Sequence, residues 1–142
     1  MGKVRTEEEL QIYEGAYRVF EWYWRADGLM PALDAFEGLS PEDRAGIMAS
    51  FEHWGSLKPG EFPSPTRVNL EHDDPLVLAI KAKKHRFIGF HAEGTRYWVI
   101  AAYYVKQTEK LDKRGRAVIR RTLLAREDFN SRVKDGTYYE RG

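Results

Sequence analysis

Cationic side chains cluster in the second half of this 142-residue chain. One short stretch brings together four cations and two histidines: Lys81, Lys83, Lys84, His85, Arg86 and His91. More cations follow it: Lys106, Lys110, Arg114, Arg116, Arg120 and Arg121. Arg86 lies inside an otherwise apolar run, where a charge is costly unless it has a partner. The chemistry that this pattern indicates is the binding of a polyanion.

The formal net charge of +1 conceals an uneven distribution of charge along the chain. Residues 1–75 contain 15 acidic and 7 basic side chains, a net charge of −8. Residues 76–142 contain 16 basic and 7 acidic side chains, a net charge of +9. Such asymmetry points to a polyanionic partner for the basic half. The alternative is that the two halves neutralise each other across the fold.

The composition limits the other kinds of chemistry. The chain has no cysteine, which excludes disulfides and thiolate metal sites. The acids at positions 73 and 74 follow His72, but adjacent acids before a proline are more typical of a solvated turn than of a metal site. No apolar run reaches the roughly 18–20 residues of a membrane span, and the N-terminus lacks the apolar core of a signal peptide. We expect a cytoplasmic protein with no metal, no cofactor and no membrane partner.

Strands and a helix must position the cations. β-Branched and aromatic runs bounded by turn residues predict a meander of three strands at residues 76–82, 85–91 and 96–105. Further along the chain, mainly apolar residues recur near a 3.6-residue spacing, which predicts a helix at residues 113–133. Cations crowd the first half of this helix, where they oppose the helix dipole. A binding function explains these cations better than stability does.

The acidic half supplies the remaining elements. The aromatic run at residues 17–24 predicts a strand with Phe20, Trp22 and Trp24 on one buried face. Apolar residues then recur at helical spacing up to Gly38, which predicts a first helix. Ser40 followed by a proline predicts the start of a second helix. We expect these two helices to form an antiparallel hairpin that packs on the sheet.

These elements predict a single α+β domain. Its expected fold is an antiparallel sheet of about four strands with an N-terminal helical hairpin and a C-terminal basic helix. Residues 17–133 would form the core, with an N-terminal extension at residues 1–16 and a tail at residues 134–142.

Two motifs in this order of elements resemble the RelE/HigB-type toxins, in the phage-derived HigB-like branch of the RelE/ParE superfamily. Residues 85–90 (HRFIGF) are similar to the family's Tyr-Arg-Val-Leu-Tyr strand. Residues 99–110, which end in KQTEK, are similar to its Phe-Val-Lys-Lys-Thr-Gln-Lys segment. The resemblance extends over about residues 17–129.

The resemblance implies a RelE-like α+β toxin of a type II toxin–antitoxin system. Such a toxin cleaves mRNA in the ribosomal decoding site without a metal, and a cognate antitoxin protein holds it inactive. Cleavage through the 2′-hydroxyl needs a base, cations that stabilise the charge developing on phosphorus, and an acid for the leaving oxygen.

The resemblance suggests a role for each candidate residue. The base would be Lys81 or His85, and the acid would be His91 or Lys106. Arg86 would stabilise the phosphate together with the RNA-binding Lys83. The candidates for RNA binding, with the cations on phosphates and Tyr103 or Tyr104 stacking on a base, are Lys83, Lys84, Tyr103, Tyr104, Lys110, Arg114, Arg120 and Arg121.

Two other functions fit the same sequence. A ParE-like toxin would poison gyrase through its surface without cutting RNA. A non-toxic, phage-derived protein would bind nucleic acid or a partner through its basic half. Similarity of fold does not distinguish these functions.

Overall fold

The structure, a computed structural model, describes residues 5–107 and 113–140. Its helices are α1 (Glu7–Leu10), α2 (Pro31–Glu37), α3 (Pro41–Ser56) and α4 (Lys113–Asp135). Its strands are β1 (Gln11–Glu14), β2 (Val19–Trp22), β3 (Val68–His72), β4 (Val77–Ala82), β5 (His85–His91) and β6 (Tyr97–Val105).

All six strands form one mixed sheet in the order β1-β2-β6-β5-β4-β3. β2 runs parallel to β6, and every other neighbouring pair is antiparallel. The predicted antiparallel sheet of about four strands with an N-terminal helical hairpin is therefore wrong. The helices α2 and α3 follow the first two strands instead of preceding the sheet. The prediction failed because β1 is too short to give a clear alternating pattern, and no local pattern encodes the long-range pairing of β2 with β6.

The strands of the predicted meander are confirmed to within one residue at each end, as β4, β5 and β6. The predicted C-terminal helix is also confirmed, as α4. The hydroxyl of Ser40 caps α3 by accepting a hydrogen bond from the backbone N–H of Asp43 at 3.1 Å. These elements were predictable because their signals are local.

The described parts of the two segments expected to flank the core, residues 5–16 and 134–140, contribute to it. Thr6 forms a capping box with Glu9 at the start of α1, and Leu10 at its end is fully buried. β1 then pairs with β2. After α4, Tyr138 is fully buried, and the backbone of Tyr139 forms a bridge with Arg5.

The aromatic run around β2 divides between two environments. Phe20 and Trp22 pack against Phe51 of α3. Trp24 instead lies 5.5 Å from the ring of Tyr138 and 4.1 Å from the guanidinium of Arg132 in α4. The prediction that all three aromatic residues share one face is wrong for Trp24, because β2 ends two residues earlier and the strand alternation ends with it.

The two faces of the sheet near the β4–β5 turn carry different side chains. The cross-strand row that contains Phe87 and Tyr103 lies on the face covered by α2, where Phe87 contacts Phe36. The next row contains Lys81, Arg86 and Tyr104, and its tyrosine packs in a cluster with Val118 of α4. Lys81 and Arg86 therefore project on the α4 side of the sheet.

Glu21 in β2 is a buried carboxyl that the sequence did not predict. The Glu21 side chain is 2% exposed, and the hydroxyl of Tyr139 donates a hydrogen bond to it at 2.5 Å. Burial raises the pKa of the Glu21 carboxyl from its ordinary value of 4.5 to about 7, although the hydrogen bond from Tyr139 opposes this shift. Glu21 thus stays protonated in the folded protein at pH values where it ionises in the unfolded chain.

We expect Glu21→Gln to raise the stability of the protein at pH 8 but not at pH 4. Between about pH 4.5 and 7 the folded state holds a proton that the unfolded state has lost, so stability falls as the pH rises. Glutamine removes this ionisation and can still accept the Tyr139 hydrogen bond. The free energy of unfolding at pH 8 should increase by about 2–3 kcal/mol, measured by urea unfolding across this pH range. An equal change in the free energy of unfolding at pH 4 and pH 8 would contradict a raised pKa of the Glu21 carboxyl.

Candidate polyanion-binding site

Five cations converge in one open groove of about 540 Å³ at the turn end of the sheet. The residues that line this basic groove are Asn69, Lys81, Lys83, Lys84, Arg86, Lys106 and Gln107. None of these described lining residues is acidic. Three of the five predicted catalytic residues thus lie together: Lys81, Arg86 and Lys106.

The local fold explains this convergence. β4 and β5 are joined by a two-residue loop, Lys83-Lys84, and their register places Lys81 directly opposite Arg86. The backbone N–H of Lys106 donates to the carbonyl of Lys84 at 2.8 Å, which brings the end of β6 beside the same loop. Three neighbouring strands therefore deliver cations to one end of the sheet.

The guanidinium of Arg86 is compensated by backbone groups of the turn. Its Nη1 donates to the carbonyl of Lys83 at 2.7 Å and to that of His85 at 3.1 Å. These charge-assisted hydrogen bonds explain how a half-buried charge is tolerated in an apolar strand. Arg86 thus stabilises the turn as well as lining the groove.

The lysines of the groove differ in how far they are neutralised. Lys81 Nζ donates to the carbonyl of Pro65 at 2.6 Å, and the Asn69 amide oxygen can accept from it at 3.0 Å. Lys84 and Lys106 form no ion pair with any residue in the described ranges. These two lysines contribute the least compensated charge.

Lys83 is held by two acids of α3. Its Nζ lies 3.0 Å from Asp43 Oδ1 and 3.4 Å from Glu42 Oε1. The hydrogen bond that Lys83 donates to Asp43 is the main cause that raises the pKa of Lys83. The hydrogen bonds from Lys83 and His85 lower the pKa of Asp43. Lys83 therefore brings a charge to the groove that is already partly offset.

His85 lies on the opposite face of the sheet and does not line the basic groove. Its Nε2 is 3.1 Å from Asp43 Oδ2, and its Nδ1 is 2.7 Å from the hydroxyl of Tyr103. A neutral imidazole satisfies both contacts if Nε2–H donates to Asp43 and Nδ1 accepts from the phenol. Burial, followed by the charge of Asp43, raises the pKa of Tyr103. Of the two predicted bases, only Lys81 is in the groove.

Two other predicted site residues do not line the groove. His91 lies at the far end of β5, roughly 16 Å along the strand from Arg86, and its Nε2 bonds the carbonyl of Thr95 at 2.7 Å. Tyr104 is 5% exposed and belongs to the core beneath α4. The acid role predicted for His91 and the stacking role predicted for Tyr104 do not fit this geometry, because neither side chain can reach RNA in the groove.

The remaining predicted RNA-binding residues are more dispersed. Arg114, Arg120 and Arg121 are exposed on α4. Arg121 and Tyr103 line a second, largely apolar cavity of about 550 Å³ with Leu124. Lys110 lies outside the described residues. The arginines of α4 extend the positive surface without joining the basic groove.

Three residues near the site were not among the predicted ones. Asn69 and Gln107 line the groove, and Asp43 binds both Lys83 and His85. In the sequence, Asp43 lies three residues after Ser40, at the start of the second predicted helix. Its contacts span 40 and 42 residues, and no local pattern signals contacts at that separation.

The described ranges contain no group of three or more His, Asp or Glu side chains that could hold a metal ion. Among the helices in those ranges, none has the length and apolar character needed to cross a membrane.

Comparison with known proteins leaves the family open. No model of a protein family matches this chain, and no curated protein matches it significantly. The resemblance to the RelE/HigB toxins therefore stays a prediction that depends on the motifs quoted above.

Proposed function

We propose that this protein is a cytoplasmic endoribonuclease that cleaves mRNA on the ribosome, as the toxin of a type II toxin–antitoxin pair. The observation that carries the nuclease proposal is the convergence of Lys81, Arg86 and Lys106 in the basic groove. The quoted motifs support the ribosome and a cognate antitoxin as partners.

The groove suits an RNA phosphate. Cations fixed around a phosphodiester attract the backbone and stabilise the extra negative charge of the transition state. Because the Pro65 carbonyl already orients Lys81 Nζ and the turn carbonyls orient Arg86, both groups are preorganised. Preorganised groups contribute more to catalysis than mobile ones do.

The proposed reaction uses three residues of the groove. Lys81, in its neutral form, removes the proton of the 2′-hydroxyl. The 2′-oxygen then attacks phosphorus and forms a 2′,3′-cyclic phosphate while the bond to the 5′-oxygen breaks. Arg86 stabilises the charge on the phosphoryl oxygens, and protonated Lys106 gives its proton to the leaving 5′-oxygen.

A second candidate function is the binding of nucleic acid without cleavage. Arg86 already donates to two backbone carbonyls, and Lys83 is paired with two carboxylates. In this reading both side chains shape a binding surface, while Lys84 and Lys106 contact the phosphates. The two candidates share the groove and differ in whether the phosphodiester bond breaks.

We expect the double variant Lys84→Ala/Lys106→Ala to bind single-stranded RNA more weakly than the wild type. Losing two phosphate contacts should reduce affinity by about tenfold at about 100 mM salt and make the slope of log K against log salt shallower by about 1.4. Fluorescence anisotropy with a labelled RNA oligonucleotide measures both quantities.

The matched control for this experiment is Lys58→Ala/Lys134→Ala, because both lysines are exposed and neither lines the groove. The control should keep the wild-type affinity and salt slope. Equal losses in the two double variants would show that only net charge matters, and would remove the basic groove as the binding site.

We expect Arg86→Ala to abolish growth arrest and to reduce mRNA cleavage by about 100-fold or more, as loss of a transition-state donor does. Primer extension on a translated message after induced expression measures the cleavage. Because Arg86 also bonds the turn, thermal unfolding of the purified variant must show that it is folded. Lys134→Ala should arrest growth and cut mRNA as the wild type does.

Each contrary result selects a different conclusion. An Arg86→Ala variant that still cuts mRNA would contradict the proposed site. Wild-type growth arrest with intact mRNA and an induced DNA-damage response would select gyrase poisoning. Harmless expression together with salt-sensitive RNA binding would select the second candidate.

A further inference from the structure

We propose that Asp43 is a positioning residue for the basic groove, which holds the β4–β5 turn in place through Lys83 and His85. It lies in the first turn of α3 and is separated from the groove by the sheet. The inference rests on the proposed function where it concerns RNA cleavage, and on the geometry alone where it concerns the turn.

Asp43 uses both carboxylate oxygens on the turn. Oδ1 binds Lys83 Nζ at 3.0 Å, and Oδ2 binds His85 Nε2 at 3.1 Å. The Asp43 side chain is only 21% exposed, so two hydrogen bonds compensate for its partial burial. One carboxylate thus fixes two residues on either side of Lys84, whose side chain lies in the groove.

Asp43 begins a row of contacts between α3 and β4. A Cβ at Gly46 would lie 3.3 Å from Ala82 Cβ, and Ser50 Oγ donates to the carbonyl of Lys81 at 2.6 Å. Positions 43, 46 and 50 share one face of a helix. This face contacts, in order, the turn, the last residue of β4 and the backbone of Lys81. It therefore supports the backbone that carries the cations of the groove.

The turn needs such support because its first residue is in an unfavourable conformation. Lys83 has a φ of 54°, a left-handed value that glycine adopts with less strain. A lysine there can hold the turn to Asp43, which a glycine could not do. The Arg86 hydrogen bond to the Lys83 carbonyl fixes the same residue from the other side of the sheet.

The contacts of Asp43 also reach β6. His85 joins Asp43 to the hydroxyl of Tyr103, and the His85 and Tyr103 rings are stacked 5.8 Å apart. Tyr103 is three residues before Lys106 in the chain. Asp43 is thus linked to the β4–β5 turn, to β5 and, through His85, to β6.

Glu42 provides a matched control within the same helix turn. It carries the same charge and also contacts Lys83, at 3.4 Å, but it is 83% exposed and makes no contact with His85. An exposed ion pair of this kind contributes little. If Asp43 acted only through its charge, removing either acid would have the same effect.

The test compares Asp43→Ala with Glu42→Ala. We expect Asp43→Ala to lower kcat for RNA cleavage by about tenfold or more with KM changed less than about threefold, because misplaced groups slow chemistry more than binding. Glu42→Ala should stay near wild type in both. Nitrogen-15 NMR should show wild-type shifts for the His85 ring nitrogens in Glu42→Ala and altered shifts in Asp43→Ala, because only Asp43→Ala removes the contact with Nε2.

Two results would overturn the inference: equal kinetic losses in the two variants, or unchanged shifts of the His85 ring nitrogens in Asp43→Ala. If Asp43→Ala does not fold, Asp43→Ser replaces it, because the shorter serine cannot contact Lys83 and His85 together, and wild-type cleavage by that variant would also overturn the inference. If the wild type does not cleave RNA, the proposed function fails separately. The backbone amide shifts of Lys84 and Arg86 then decide, because they should move in Asp43→Ala and not in Glu42→Ala.

Discussion

The feature on which the site depends is a pair of like charges held directly opposite each other. Lys81 and Arg86 face each other across β4 and β5, an arrangement that destabilises a sheet unless each charge has other partners. Here Lys81 donates to Pro65, and Arg86 donates to the turn. Backbone carbonyls thus hold both side chains in the groove, where an external anion could contact them.

The uneven charge of the chain has two outcomes in the fold. Some cations of the basic half pair with acids of the first half, as Lys83 does with Asp43 and as Arg96 does with Glu14 at 3.1 Å. Neutralisation across the fold therefore occurs, but it does not extend to Lys84 in the basic groove. Neutralisation across the fold thus describes the ion pairs of Lys83 and Arg96. The expectation of a polyanionic partner concerns the basic groove, where Lys84 has no such ion pair with any residue that the structure describes.

Local signals made part of this molecule predictable. The alternation in β4–β6 and the hydroxyl cap of α3 are encoded within a few residues of where they act. The parallel pairing of β2 with β6 and the burial of Glu21 depend on residues far away in sequence. The same limit applied to the site. The sequence showed that Lys81 and Arg86 could meet, but not that His85 would face α3 or that Asp43 would bind it.

The groove also links binding to stability. Five cations around one open space repel each other in the free protein, and an anion that binds there removes that repulsion. A ligand that binds only the folded state stabilises it, and the stabilisation grows with the logarithm of the ratio of ligand concentration to Kd. RNA, or an acidic segment of a partner, would therefore both occupy the groove and strengthen the β4–β5 turn. The positive charge that would bind the proposed anion is thus the same charge that the turn contacts of Arg86 and Lys83 hold in place.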